Sequence, residues 1–429
     1  MSVPKQYLDS EIECASTDEM RQLQSERLKH MVKHAYENVP LYQERMDAMG
    51  VSPNDIHSID DLHKLPFTVK DDLRNTYPFG MFAVPKEELV RIHASSGTTG
   101  KQTVVGYTKN DIDVWSRSVA RALTSIGTTK SDYVHVSYGY GLFTGGLGLH
   151  YGAEYMGATA IPVSSGNTKR QVQILQDYGS NILCCTPSYA MYIGETARDM
   201  GIDTKQLPVR AGFFGAEPWT EHMRQELEAI LNIKAYDIYG LSEIAGPGVA
   251  FECPAQQGMH INEDFFYPEI IDPETEEVLP PGERGELVVT CLGKEALPIV
   301  RYRTGDMTRL MYEPCKCGRT TCRMENLSGR ADDMLVIRGV NVFPTQIEEV
   351  LLKIDEIGPH YEILVERKNR LDVMTITVEL IDDRLLDSYA KLSELETRIK
   401  SALKSQLGLA TCIRLVAPNS LRRFEGKAK

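Results

Sequence analysis

No stretch of this chain approaches the ~18 consecutive apolar residues that a membrane-crossing helix needs. An excess of basic residues is missing too. The 47 Lys and Arg are outnumbered by 60 Asp and Glu, for a net charge of −13. That balance argues against nucleic acid and against an anionic membrane surface as partners. The nine cysteines form no regular framework, and their number is odd. A disulfide-stapled secreted domain is therefore not expected. A reducing cytoplasm, with thiols free or on metal, fits better. The opening Met-Ser-Val-Pro-Lys-Gln-Tyr lacks a signal-peptide pattern. No internal repeat or low-complexity segment is present.

What is there reads as a large globular chain. Its 429 residues exceed one compact core, so two or more domains are expected. Ser16-Thr17-Asp18-Glu19 is a helix capping box. Met20, Leu23, Leu28, Met31, Val32 and Ala35 then mark one helical face, which Pro40 ends. From about 130 to 240, short apolar runs alternate with amphipathic stretches. Tyr133–Val136, Ala158–Ile161, Ile182–Cys185 and Ala211–Phe214 are such runs. The alternation predicts parallel strands with crossover helices and binding loops at the strand ends. From about 266 to 310 the pattern turns to β. In the last hundred residues, Met374, Ile376, Val378 and Leu380 alternate as a strand face. Leu392, Leu395, Ile399, Leu403 and Leu407 follow helical spacing up to Gly408. Cys412 to Val416 reads as a final strand, so this end is a small α+β unit.

The most informative stretch is Arg91-Ile-His-Ala-Ser-Ser-Gly-Thr-Thr-Gly-Lys-Gln-Thr103. A strand-like entry leads into Ser96, Gly97, Thr98, Thr99, Gly100 and Lys101. Glycines let backbone N–H groups turn toward one point. Hydroxyls and a lysine add donors and charge, a combination suited to a polyphosphate. It is not a Walker loop, because Gly97 and Gly100 stand too close and Gln102 follows the lysine. Alone, the loop would also be consistent with an ordinary turn without a ligand.

Further motifs follow in order: Tyr239-Gly-Leu-Ser-Glu243, Tyr302-Arg-Thr-Gly-Asp306, Gly329-Arg-Ala-Asp-Asp-Met334 and Glu425-Gly-Lys427. This series resembles the adenylate-forming superfamily of acyl-CoA synthetases, adenylation domains and luciferases. Longer segments are similar to the phenylacetate–coenzyme A ligases within it: His34–Pro40, Leu65–Phe67, Tyr77–Gly80, Ile92–Lys101, Tyr138–Gly146 and Gly339–Pro344. The resemblance covers essentially the whole chain. It implies an α/β fold with a large N-terminal adenylation domain, residues 1–328, containing parallel sheets and a β-rich part. A small mobile α+β lid, residues 329–429, would follow a hinge near residues 330–333.

The resemblance also implies roles. A carboxylate would join the α-phosphate of ATP, expelling pyrophosphate, and the acyl group would then pass to coenzyme A. Ser96, Gly97, Thr98, Thr99, Gly100 and Lys101 would meet the phosphates. Glu243 would hold Mg²⁺, since a carboxylate with phosphate oxygens is the usual cage for that ion. Asp306 would accept hydrogen bonds from the ribose hydroxyls. Adenine would lie between Gly215-Ala216-Glu217-Pro218 on one side and Asp237 to Tyr239 on the other, and Gly240 and Ser242 would also belong to the nucleotide site. Many relatives place an amide where Asp237 stands. Arg330, with Asp332, would lie in the hinge, and Lys427 would be the mobile catalytic lysine of adenylation. Tyr138 and Phe143, with Gly215, would line an apolar acyl pocket. The plainer readings are a capping acid for Glu243, a turn residue for Asp306, core packing for Tyr138 and Phe143, and a solvated basic tail for Lys427.

Cysteine and histidine form a second constellation. Cys315-Lys-Cys317-Gly318 resembles a zinc knuckle, and Cys253 with His260 would complete a Cys₃His tetrahedron for structural Zn²⁺. Cys322 lies close by in sequence, and reduced, partly buried thiols are the alternative. The expected partners are an aryl acid, ATP and coenzyme A. Phenylacetate is the acid expected, with indoleacetate, a benzoate or a carrier protein as alternatives. The oligomeric state is left open, a homodimer included.

Overall fold

The computed structural model describes residues 6–95, 102–327, 329–330, 335–337, 340–342, 344–368 and 371–423. A nine-stranded sheet organises the larger part. Its order is Leu310–Met311, Arg323–Met324, Met259–Ile261, Gly246–Glu252, Lys234–Leu241, Ala211–Gly215, Ile182–Cys185, Tyr133–Val136 and Thr159–Ile161. The strands from Tyr133–Val136 to Lys234–Leu241 pair in parallel, as the alternating pattern predicts. From Lys234–Leu241 onward the pairing is antiparallel. Lys234–Leu241 is therefore the seam between the two halves, and it runs straight into Ser242 and Glu243.

The β-rich stretch forms a second, antiparallel sheet of Phe266–Ile271, Gly285–Cys291, Tyr302–Thr308 and Gly329–Arg330. Its last strand sets Arg330 opposite Asp306. The hinge residues 331–334, Asp332 included, lie outside the described residues.

At the N-terminus the capping box forms: Ser16 and Glu19 satisfy each other's backbone N–H. Pro40 behaves differently from expectation. The first long helix ends at Asn38, and Pro40 opens the next one, Pro40–Met49. Its missing N–H costs nothing at a first helical position.

The smaller C-terminal part is a three-stranded sheet, Ile357–Lys368, Leu371–Leu380 and Cys412–Val416, covered by helix Tyr389–Leu407. Met374, Ile376, Val378 and Leu380 face Leu395, Ile399, Leu403 and Leu407 in one buried cluster. Gly408 closes the helix at φ +71°, a left-handed cap suited to glycine. This part touches the larger one through polar pairs. The Thr220 hydroxyl donates to Glu348 at 3.2 Å, and His360 Nε2 meets Glu195 at 3.1 Å. Among the described residues no helix is long and apolar enough to cross a membrane.

Candidate active site and metal cluster

The seam strand carries the first group of candidates. Gly240 sits at a register shift, where a Cβ would fall 1.6 Å from the Gly246 carbonyl oxygen. Only glycine allows that approach, and it lets the chain turn so that Glu243 points inward. The buried Glu243 carboxylate accepts from the Thr103 hydroxyl at 3.2 Å. Lys70 Nζ stands 3.8 Å from the same oxygen.

The loop Ser96, Gly97, Thr98, Thr99, Gly100 and Lys101 lies outside the described residues, but its two flanks do not. Ser95 N–H donates to the Thr103 carbonyl at 3.0 Å, and Thr103 N–H donates to the Ser95 hydroxyl at 3.2 Å. The loop is thus pinched shut at its base, next to Glu243.

Asp306 joins the group from the second sheet. The Tyr239 hydroxyl donates to its Oδ2 at 2.6 Å, and the Thr304 hydroxyl accepts from its backbone N–H at 3.0 Å. One carboxylate oxygen is thereby anchored. Gly215 ends its strand so close to Ile238 that a Cβ would lie 2.1 Å from that carbonyl oxygen. Ala216 follows at φ +72°, a strained conformation for a residue with a side chain. Glu217 then accepts from the Ser188 N–H at 2.7 Å, and Pro218 follows.

Asp237 is buried on the seam strand, and its N–H donates to Glu252 at 2.8 Å. Arg224 donates to both Glu252 oxygens, at 2.6 and 2.9 Å. Burial first, and then the Glu252 charge, push the Asp237 carboxyl up to about 7. Of the acyl-pocket candidates, Tyr138 is buried and braces two strand ends. Its hydroxyl donates to the Cys185 carbonyl at 2.6 Å and accepts from the Gly215 N–H at 3.0 Å. Phe143 is 38% exposed, its ring centroid 6.4 Å from that of Tyr138. The hydroxyls of Ser242 and Thr144, 3.2 Å apart, tie the Glu243 turn to the segment after Phe143.

Sequence reasoning missed Thr103, Lys70 and a buried Lys294. Thr103 could have been noticed as the residue closing the loop. Nothing local marks Lys70 or Lys294, because their partners lie far away in sequence. Arg330 is placed by its backbone pairing alone, and Lys427 lies outside the described residues.

The second constellation comes together as a unit. One donor atom from each of Cys253, His260, Cys315 and Cys317 lies within 4.8 Å of all the others, and all four residues are buried. Cys253 and Cys315 sulfurs are 3.6 Å apart, and Cys317 Sγ is 3.4 Å from His260 Nε2. His260 Nδ1 is engaged 3.1 Å from the Thr321 hydroxyl, which turns Nε2 toward the thiols. Hydrogen bonds from Cys253 and Cys315 hold the Cys317 thiol far below the usual range. Contacts with Cys315 and Cys317 push Cys253 far above it. Cys322 stands apart from the group, its N–H donating to Glu263 at 2.6 Å. Three thiols and an imidazole directed at one point are a donor set that fits Zn²⁺.

Residues 13–291 match the model of the AMP-binding enzyme family, and residues 339–429 match that of the AMP-binding enzyme C-terminal domain. The chain belongs to the AMP-binding enzyme family. Within it, the phenylacetate–coenzyme A ligase of Escherichia coli is 52% identical, covering 97% of this chain and 95% of that one. The Thermus thermophilus phenylacetate–coenzyme A ligase is 49% identical, over 97% and 96%. This AMP-binding enzyme also superposes on solved structures of a 2-hydroxyisobutyryl-CoA ligase that is 28% identical, over 98% of this chain and 90% of that one. With that ligase in its postadenylation state, holding 2-HIB-AMP, the TM-score is 0.92. In its thioesterification state, holding 2-HIB-AMP and CoA, it is 0.73. The two parts of the present chain are arranged like the former.

Proposed function

We propose that this chain is an ATP-dependent ligase that converts phenylacetate to phenylacetyl-adenylate and pyrophosphate, then to phenylacetyl-CoA and AMP. The observation that carries the reading is about 50% identity to phenylacetate–coenzyme A ligases from several bacteria, along nearly the whole chain. The site geometry supports it. The pinched loop base, Glu243 and Asp306 converge from separate sheets, as a triphosphate and a ribose require.

Adenylation brings two anions together, so donors must already face the charge that develops. The loop Ser96 to Lys101 surrounds the phosphates, and Lys427 neutralises the α-phosphate and carboxylate during this step. Asp306, held by the Tyr239 hydroxyl, accepts from the ribose hydroxyls. Adenine rests against Ala216, Glu217 and Tyr239, with Asp237 at its edge. Mg²⁺, when bound, would be held by Glu243 together with phosphate oxygens and would neutralise phosphate charge. A buried carboxylate held by the Thr103 hydroxyl is a hard oxygen donor that suits such a cation. Phe143 and Tyr138 flank the aryl ring. Zn²⁺, when bound, would be held by Cys253, His260, Cys315 and Cys317, and a donor set of three thiols and an imidazole would give it a structural rather than a catalytic role. The lid rotates about residues 330–333 between the two half-reactions, and the free thiols and the two soluble nucleotide substrates suit the cytoplasm.

AMP release across a panel of aryl acids, with and without coenzyme A, tests the reading. Phenylacetate should give the highest kcat/KM, with sustained turnover only when coenzyme A is present. A higher value for indoleacetate or a benzoate would reassign the acid. Turnover with a carrier protein but not with free coenzyme A would reassign the acceptor.

A further inference from the structure

Lys294 is the one lysine in the long apolar run that leads into the Asp306 motif, and the fold buries it, with 6% exposure. Its ammonium donates to two consecutive backbone carbonyls, Glu243 at 3.1 Å and Ile244 at 2.8 Å. It also sits 4.7 Å from the centre of the Tyr107 ring. Burying an ammonium costs several kcal/mol unless its donors are satisfied. Here the partners are carbonyl dipoles of the very turn that presents Glu243. Two adjacent carbonyls pointing the same way repel each other, and a compact cation with three donors removes that cost at one point.

The turn bearing Lys294 is itself held. Asp111, near the start of helix Lys109–Ser125, accepts from the N–H of Glu295 at 2.6 Å and of Ala296 at 3.0 Å. The Thr108 hydroxyl donates to Glu295 at 2.7 Å. A rigid series thus runs from the helix start through Asp111 to Lys294, then to the Glu243 backbone and its carboxylate.

We propose that Lys294 is a positioning residue: by fixing the Glu243–Ile244 carbonyls it aims the Glu243 carboxylate at the metal that accompanies ATP. This rests on Glu243 being the metal-site carboxylate. A purely structural lysine would affect stability and leave metal affinity alone.

The test is a double-mutant cycle on the full chain with Lys294→Met, Glu243→Gln and the pair. The readout is Mn²⁺ affinity in the presence of α,β-methylene-ATP, followed by the EPR signal of free Mn²⁺. Lys294→Met should weaken Mn²⁺ binding by about five- to tenfold, roughly the worth of one ordinary hydrogen bond. In the Glu243→Gln background the same change should cost less than about twofold, because the group it aims is gone. Binding of the nucleotide analogue without metal should not change. Unchanged Mn²⁺ affinity in folded Lys294→Met, or an equal loss in both backgrounds, overturns the proposal. Should Lys294→Met not fold, Lys294→Gln, whose amide can serve one carbonyl, carries the same cycle with a smaller expected loss. If Glu243→Gln alone leaves Mn²⁺ affinity unchanged, Glu243 is not the metal-site carboxylate, and that failure is distinct from an inert Lys294.

Discussion

The Cys₃His cluster and the Glu243–Asp306 site are two ways of gathering polar groups in one protein. In the cluster every donor points inward and is buried, and His260 is steered from behind by Thr321. No side remains open. Around Glu243 and Asp306 each carboxylate has one oxygen anchored, by Thr103 and by Tyr239. Glu243 follows the end of one strand, and Asp306 lies within a strand of the second sheet. On the proposed reading the first arrangement adds rigidity, and the second receives a substrate. Coordination chemistry makes the same distinction between closed structural sites and open catalytic ones.

This contrast can be broken by mutation. The largest effect should come from the closed site. Cys317→Ser should remove bound zinc and lower unfolding stability by about 4 kcal/mol or more, as loss of a structural metal does. Metal analysis and denaturant unfolding on the same preparation check it. Zinc-free wild-type protein of unchanged stability would break the comparison. Next comes the open site. Lys427→Ala should slow phenylacetyl-adenylate formation about 100-fold, the cost of a positioned charge. Thioester formation from supplied adenylate should change far less, and single-turnover assays of each half-reaction separate the two.

Phe143→Ala should act on one substrate only. Losing the half-exposed ring should raise the apparent KM for phenylacetate about tenfold, with that for ATP little changed. Bulkier acids such as indoleacetate should lose less. Unaltered selectivity among acids would make Phe143 a packing residue.

The smallest effect concerns Asp237. Its folded pKa, up to about 7 by burial and then by Glu252, exceeds the unfolded carboxyl value. The proton-bound form is thus favoured by folding. That contribution is complete below the unfolded value and is lost as pH rises through about 7. Asp237→Asn should therefore gain roughly 1 kcal/mol relative to wild type between pH 6 and pH 8. Parallel denaturant titrations at the two pH values measure it.

How much was legible beforehand follows the same division. The grouping of Cys253, His260, Cys315 and Cys317 could be read from Cys-Lys-Cys-Gly and its neighbours, and the C-terminal strand, helix and final strand from period two and period 3.6. Local chemistry sufficed for them. Pro40 shows the limit of a local rule, since proline ends one helix and starts another equally well. Glu243 and Asp306 stand out in the sequence through their motifs. The Tyr239 and Thr103 hydroxyls that anchor them were not, because those contacts join residues 67 and 140 positions apart. Lys294 was hidden for the same reason. Its partners are backbone carbonyls about 50 residues upstream, and backbone acceptors carry no sequence signature.

The central claim is that an acyl-adenylate forms on the Glu243–Asp306 side before coenzyme A takes part. Phenylacetate-dependent exchange of labelled pyrophosphate into ATP, measured without coenzyme A, tests it most directly. Exchange should appear on adding phenylacetate and Mg²⁺ alone, and it should fall about 100-fold in Glu243→Gln. Exchange that requires coenzyme A, or that survives intact in Glu243→Gln, would contradict it.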